Sequence, residues 1–183
     1  MRLFGWRKRD STADGVREWH KEWEAAVAAL DDTAPARLKA RLRSGAPFGT
    51  DLEVEEEMLD GLRHLLALER DLAAGRLPSI ETHHRVAVGE PCHYSAPVSM
   101  PDDPAQPTGR LLFTAGRAAF AGGSRTPTLA WHAARDVVRA GRDLVLVRTG
   151  GDDSYRFRCN SYADALCAAA LARYLIRAAR EPL

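Results

Sequence analysis

Residues able to do chemistry are few in this chain. His83, His84, Cys92 and His93 bring imidazole and thiolate donors into one short stretch, and such donors suit zinc. Their spacing matches no compact structural-zinc pattern: there is no CxxC pair, and Cys159 and Cys167 lie far downstream. A metal-dependent enzyme built on these four residues is one alternative reading. Cys92 with His93 as nucleophile and base fits less well, because neighbours in a strand point to opposite faces. Glu53, Glu55, Glu56 and Glu57 fan around a helix and cannot converge on one ion, but at a helix start they complement the positive end of its dipole. No catalytic residue, metal ligand or cofactor is assigned on these grounds.

Binding chemistry is better represented. Arg2, Phe4, Trp6, Arg7, Lys8 and Arg9 interleave bulky apolar groups with cations, the composition of a weak contact with an anionic membrane surface. The segment is too short to anchor alone, and a disordered tail is the competing reading. Arg173, Arg177 and Arg180 share one face of the final helix, and with Arg156 and Arg158 they form a candidate anion-facing patch. Arginines in such places more commonly solvate a helix and complement its C-terminal dipole.

Composition narrows the setting. At 183 residues the chain can form one substantial domain or two small ones. Apolar residues are 45% and charged residues 28%, ordinary for a soluble globular protein, and no apolar run approaches the roughly 18 residues a membrane span needs. The basic first ten residues are followed by charges where a signal peptide carries an apolar core of roughly 7–15 residues. A cytoplasmic location is expected, peripheral to the inner face of the membrane if the N-terminal contact operates. Three cysteines without CxxC spacing fit buried reduced thiols better than a disulfide framework. Net charge is +1, with 13 basic and 15 acidic residues up to Leu77 and 13 and 10 beyond it, too small an excess to imply nucleic acid. All three lysines fall in the first forty residues and every later cation is arginine, a bias compatible with a GC-rich bacterial genome.

These groups must be positioned by two kinds of element. From Asp14 to Leu30, apolar residues recur at steps of three and four, which predicts an amphipathic helix with Trp19 and Trp23 on one face, read as core. A short basic segment, 35–43, leads into Gly45 and Pro47. Thr50 and Glu53 then fit a capping box opening a leucine-rich helix that Gly75 and Pro78 stop. After Pro78 the period shifts towards two. Strands are predicted over 93–98, 110–114, 117–121 and 128–132, followed by a hairpin of 142–149 and 155–159 around Gly150, Gly151, Asp152 and Asp153. A helix from Ser161 to about Arg180 closes the chain, with Asp164 as a capping-box partner.

Thr108-Gly109-Arg110-Leu111-Leu112-Phe113-Thr114 followed by Arg117-Ala118-Ala119-Phe120-Ala121-Gly122 resembles the G-x-L-x-x-T-x-x-R-x-x-F pattern of pleckstrin-homology-like domains of the bacterial GRAM-like kind. Trp131 and Phe157 sit where such domains place core aromatics. The resemblance covers about 88–180 and implies an α+β fold: N-terminal helices over 1–77, a linker over 78–87, then an antiparallel β-barrel or sandwich capped by a C-terminal helix. It also implies a binding module and not an enzyme. Lipid-binding members carry cations in the first inter-strand loop, whereas here 100–107 is acidic and has none. The expectation is therefore non-catalytic binding of a protein partner in a bacterial cytoplasm, with anionic membrane contact as the first alternative.

Overall fold

The computed structural model describes residues 4–44, 51–82, 84, 89–122, 127–150 and 154–181, with side chains of the first helix described from Asp14 onward. The chain divides into two compact units, Met1–Ala67 and Leu68–Leu183. The division falls inside the third helix, upstream of the 78–87 linker expected from composition. Leu72 belongs to the second unit's core, and Leu68 and Leu77 pack against it.

The first unit holds α1 (Phe4–Ala29), α2 (Ala34–Arg43) and most of α3 (Glu53–Ala73). Helix α1 begins well before the predicted Asp14. Its tryptophans are core, as their shared face implied: Trp19 and Trp23 are both 0% exposed. Burying an indole requires a partner for its N–H. Trp19 Nε1 donates to the Leu38 carbonyl of α2 at 3.2 Å, and Trp23 Nε1 to the Met58 carbonyl of α3 at 2.7 Å. The two rings thus tie α1 to both other helices. Asp51 accepts from the Glu53 amide at 3.3 Å at the start of α3, and Thr50 of the expected capping box lies outside the described residues. The helix stops as predicted at Gly75, whose φ of +71° lets the Arg76 amide reach back to the Asp71 carbonyl at 2.8 Å.

The second unit continues with β1 (Cys92–Ser99), β2 (Thr108–Thr114), β3 (Arg117–Ala121), β4 (Thr128–Ala130), β5 (Ala134–Ala140), β6 (Asp143–Arg148), β7 (Ser154–Cys159) and α4 (Tyr162–Arg180). The strands form one antiparallel sheet in the order β4-β3-β2-β1-β7-β6-β5. The α+β arrangement matches the expectation, but the sheet is open and not a closed barrel: β4 and β5 stand at its two ends. One cause is visible: β4 is only three residues long and runs into a 3-10 turn at Trp131–Ala133 before β5 begins. The two halves of the sheet are joined through the pairs Val98 with Cys159 and Ser99 with Arg158.

Helix α4 lies on the inner face, burying Ala165, Ala168, Ala169, Ala172, Leu175 and Ile176 into the core that Tyr94, Phe113, Trp131, Leu144 and Phe157 share. Its start is the predicted one, with the Ser161 hydroxyl accepting from the Asp164 amide at 3.0 Å.

Each residue of the β2–β3 pattern has a physical role. Gly109 lies where a Cβ would stand 2.4 Å from the Ala121 carbonyl oxygen, so the two backbones can approach only without one. Leu111 and Phe120 are core, the Thr114 hydroxyl accepts from the Arg117 amide at 3.2 Å to fix the turn, and the Arg117 guanidinium pairs with Glu90 at 2.9 Å. Trp131 Nε1 donates to the Thr114 carbonyl at 2.9 Å and pins the turn from below.

Two strand expectations are corrected. Residues 131 and 132 belong to the 3-10 turn and not to β4, and β5 has no counterpart among the strands that the periodicity predicts. In β5 charged residues interrupt the apolar ones, and a register irregularity between Ala134 and Asp136 breaks the two-residue period.

Candidate functional site

The outer face of β5, β6 and β7 is organised in rows, because directly opposite residues of an antiparallel sheet share a face. Ala140 faces Asp143, which faces Arg158, which faces Ser99 of β1. Val138 faces Val145, which faces Arg156. Asp136 faces Val147, which faces Ser154. Val138 is 48% exposed and Val145 and Val147 are half-buried, so an apolar strip runs beside two arginines.

Asp143 organises those arginines. Its side chain is 12% exposed, and it accepts from Arg158 Nε at 2.8 Å and Nη2 at 3.2 Å while Arg156 Nε donates to the same carboxylate at 3.2 Å. The Arg158 guanidinium, aided by Arg156, holds the Asp143 carboxyl below the ordinary carboxylate value despite burial, which acts the other way. Arg156 Nη1 also reaches Asp102 of the β1–β2 loop at 3.4 Å. Both guanidinium planes are therefore oriented before any ligand arrives, and much of their charge is met from within.

The structure separates the residues the sequence grouped as an anion patch. Arg156 and Arg158 lie on the outer face of the sheet, whereas Arg173 and Arg177 lie on the exposed side of α4, which packs on the inner face. The sheet stands between the two sets. Arg180 turns instead to β5, donating to the Ala134 and Arg135 carbonyls at 2.9 and 2.8 Å. Arg2 lies outside the described residues, and Phe4, Trp6, Arg7, Lys8 and Arg9 fall in the helical backbone of α1.

The candidate metal or nucleophile residues also diverge. His83 lies outside the described residues. His93 Nδ1 donates to the Pro78 carbonyl at 2.6 Å, while the Cys92 thiol donates to the Tyr94 carbonyl at 3.1 Å and packs with Leu112. Burial raises the Cys92 pKa and pushes Cys159 and Cys167 up to about 12, so none is a thiolate at neutral pH. Among the described residues, no three His, Cys, Asp or Glu side chains come together to hold a metal ion, and no helix is long and apolar enough to cross a membrane. An open groove of about 450 Å³, lined by Ile80, Glu81, Thr82, His84, Ser95 and Arg110, sets the Glu81 carboxylate on the same surface as the Arg110 guanidinium.

Sequence reasoning missed Val138, Val145 and Asp143. Only the strand register brings them beside Arg156 and Arg158. The one legible signal was the alternation of Arg156 and Arg158 with Tyr155, Phe157 and Cys159, which puts the arginines on the face away from the core.

No family model matches the chain, and no curated protein matches it. Among solved structures, Inner Membrane Complex sub-compartment protein 3 from Toxoplasma gondii is similar over 48% of this chain and 77% of its own, at 11% identity and a TM-score of 0.37.

Proposed function

We propose that this chain is a non-catalytic binding protein of a bacterial cytoplasm, and that its second unit is a pleckstrin-homology-like, GRAM-like module that engages a protein partner through the outer face of β5, β6 and β7. One observation carries the reading: the row Val138, Val145, Arg156, with Val138 half exposed at one end and a carboxylate-braced arginine at the other. Apolar groups bordered by arginine are the composition of protein interfaces, and a guanidinium already held in place loses little conformational freedom on binding. The strand order, the terminal helix on the inner face and the roles of Gly109, Leu111, Thr114, Arg117 and Phe120 support the family part of the reading.

An anionic membrane is a poorer partner for this face. Arg156 and Arg158 already share Asp143, and the neighbouring loop presents Asp102 and Asp103. Residues 2–9 keep the membrane alternative open to test.

A photo-crosslinking amino acid at position 138, with one at position 173 on α4 as control, tests the proposal in the native host. A specific protein adduct at 138, absent at 173 and lost with Val145→Asp, is the expected result. Equal labelling at both positions, or labelling that survives Val145→Asp, overturns it. Sedimentation with anionic vesicles that weakens with salt and disappears without residues 1–10 would transfer the function to the membrane.

A further inference from the structure

An edge strand presents a row of backbone donors and acceptors on which another chain can pair. Of the two ends of this sheet, β4 has three residues and β5 has seven, so β5 is the edge long enough to template a partner strand. Three of its outward groups are met from within the chain. Val137 faces Leu146 of β6, yet its N–H donates to the Asp136 carboxylate at 2.7 Å and so does not enter the ladder. At the start of the strand, Arg180 Nη2 donates to the carbonyls of Ala134 at 2.9 Å and Arg135 at 2.8 Å. The register irregularity at Ala134 and Asp136 bends the same segment. One donor and two acceptors are thus consumed by an aspartate beside them and by the last residue of α4.

The geometry points to a guarded edge: Asp136 and Arg180 keep β5 from adding the β5 strand of a second copy of this chain. The occupant follows from symmetry and from the outer face. An antiparallel strand pairs with itself about a two-fold axis and closes as a dimer, and such a pair extends the Val138–Val145 strip across the new junction. The guard consists of side-chain contacts to backbone, so two substitutions at exposed positions should remove it without touching the core.

Sedimentation velocity over a wide concentration range tests this on the full chain, comparing wild type with Asp136→Ala/Arg180→Ala, and with the same pair plus Arg139→Pro. Arg139 is two residues beyond Val137 and presents its N–H to the same side, so proline there removes an edge donor and leaves the β6 ladder intact. The double variant is expected to shift with concentration towards twice the wild-type mass, and the triple variant to return to it. A double variant with wild-type circular dichroism that sediments as wild type at every concentration overturns the proposal, as does association that persists in the triple variant. Should the double variant lose its melting transition, Asp136→Val/Arg180→Gln, which removes both contacts with a good strand former at 136 and a good helix former at 180, is read by the same criterion.

Discussion

Asp143 and Arg158 face each other directly across β6 and β7, and the guanidinium donates to both carboxylate oxygens, at 2.8 and 3.2 Å. Arg156 joins the same carboxylate from the next row. Removing the acceptor leaves two oriented guanidinium groups without their shared partner. Asp143→Asn is expected to cost about 1–2 kcal/mol at neutral pH, the range for a lost charge-assisted hydrogen bond on a partly solvated pair. Because Asp143 titrates below its ordinary value in the folded chain, its contribution is present above about pH 4 and fades as pH falls through the folded value. Urea midpoints of wild type and variant should therefore converge as the pH drops below about 4; a gap that stays constant down to pH 2 would contradict the pairing.

The cysteines set an alkaline limit. Cys159 and Cys167 move from an ordinary 9 to about 12 because burial penalises the thiolate. A raised folded value means the stability is intact below pH 9 and is lost as pH climbs towards 12, since the unfolded chain releases those protons first. Ellman's reagent at pH 8 should find the thiols far slower to react in the native chain than in urea, and melting temperature should fall steeply above pH 9. Rapid native labelling of Cys159, the fully buried one of the two, would refute this account.

Gly109→Ala places a methyl group 2.4 Å from the Ala121 carbonyl and 2.8 Å from the Gly122 Cα, both backbone atoms that cannot swing away. Strand separation must increase locally, at an expected cost of about 2–4 kcal/mol. Calorimetry should show the transition lowered by about 10 °C. An unchanged transition would mean that β2 and β3 do not cross so closely.

Trp23 carries the first unit's three-helix junction through its ring volume and its bond to the Met58 carbonyl. Trp23→Phe should cost about 1–3 kcal/mol, combining a lost donor with a small cavity. Trp23→Ala should cost about 3–5 kcal/mol. Urea titration followed by helical circular dichroism separates the two, and near-equal costs would show that the ring's volume contributes nothing.

Much of the secondary structure was legible because local chemistry dictates it. The spacing of Trp19 and Trp23, the stop at Gly75, the start at Ser161 and the strand Arg117–Ala121 rest on periodicity or on a residue's own backbone preference. β5 was not legible. Asp136 and Arg139 flank its two valines, and its register irregularity removes the alternation on which strand reading depends. The site was harder still, since Asp143 acquires its role only opposite Arg158, fifteen residues later, and nothing in either residue's neighbours selects that register.

By itself the sequence determined α3, α4, the part of α1 from Asp14 onward and the strands other than β5, though not the helix α2 over its basic segment, and it determined that the tryptophans of the first helix are core and that β7 presents arginine on one side and apolar groups on the other. These follow from interactions within a few residues of the chain. The tertiary structure alone decided that the sheet stays open, that Arg156 and Arg158 lie across the sheet from Arg173 and Arg177, and that Asp143 and Arg180 find their partners. Those outcomes depend on which distant strands pair and on which face α4 lies, and long-range pairing is set by the packing of the whole unit and not by any local pattern.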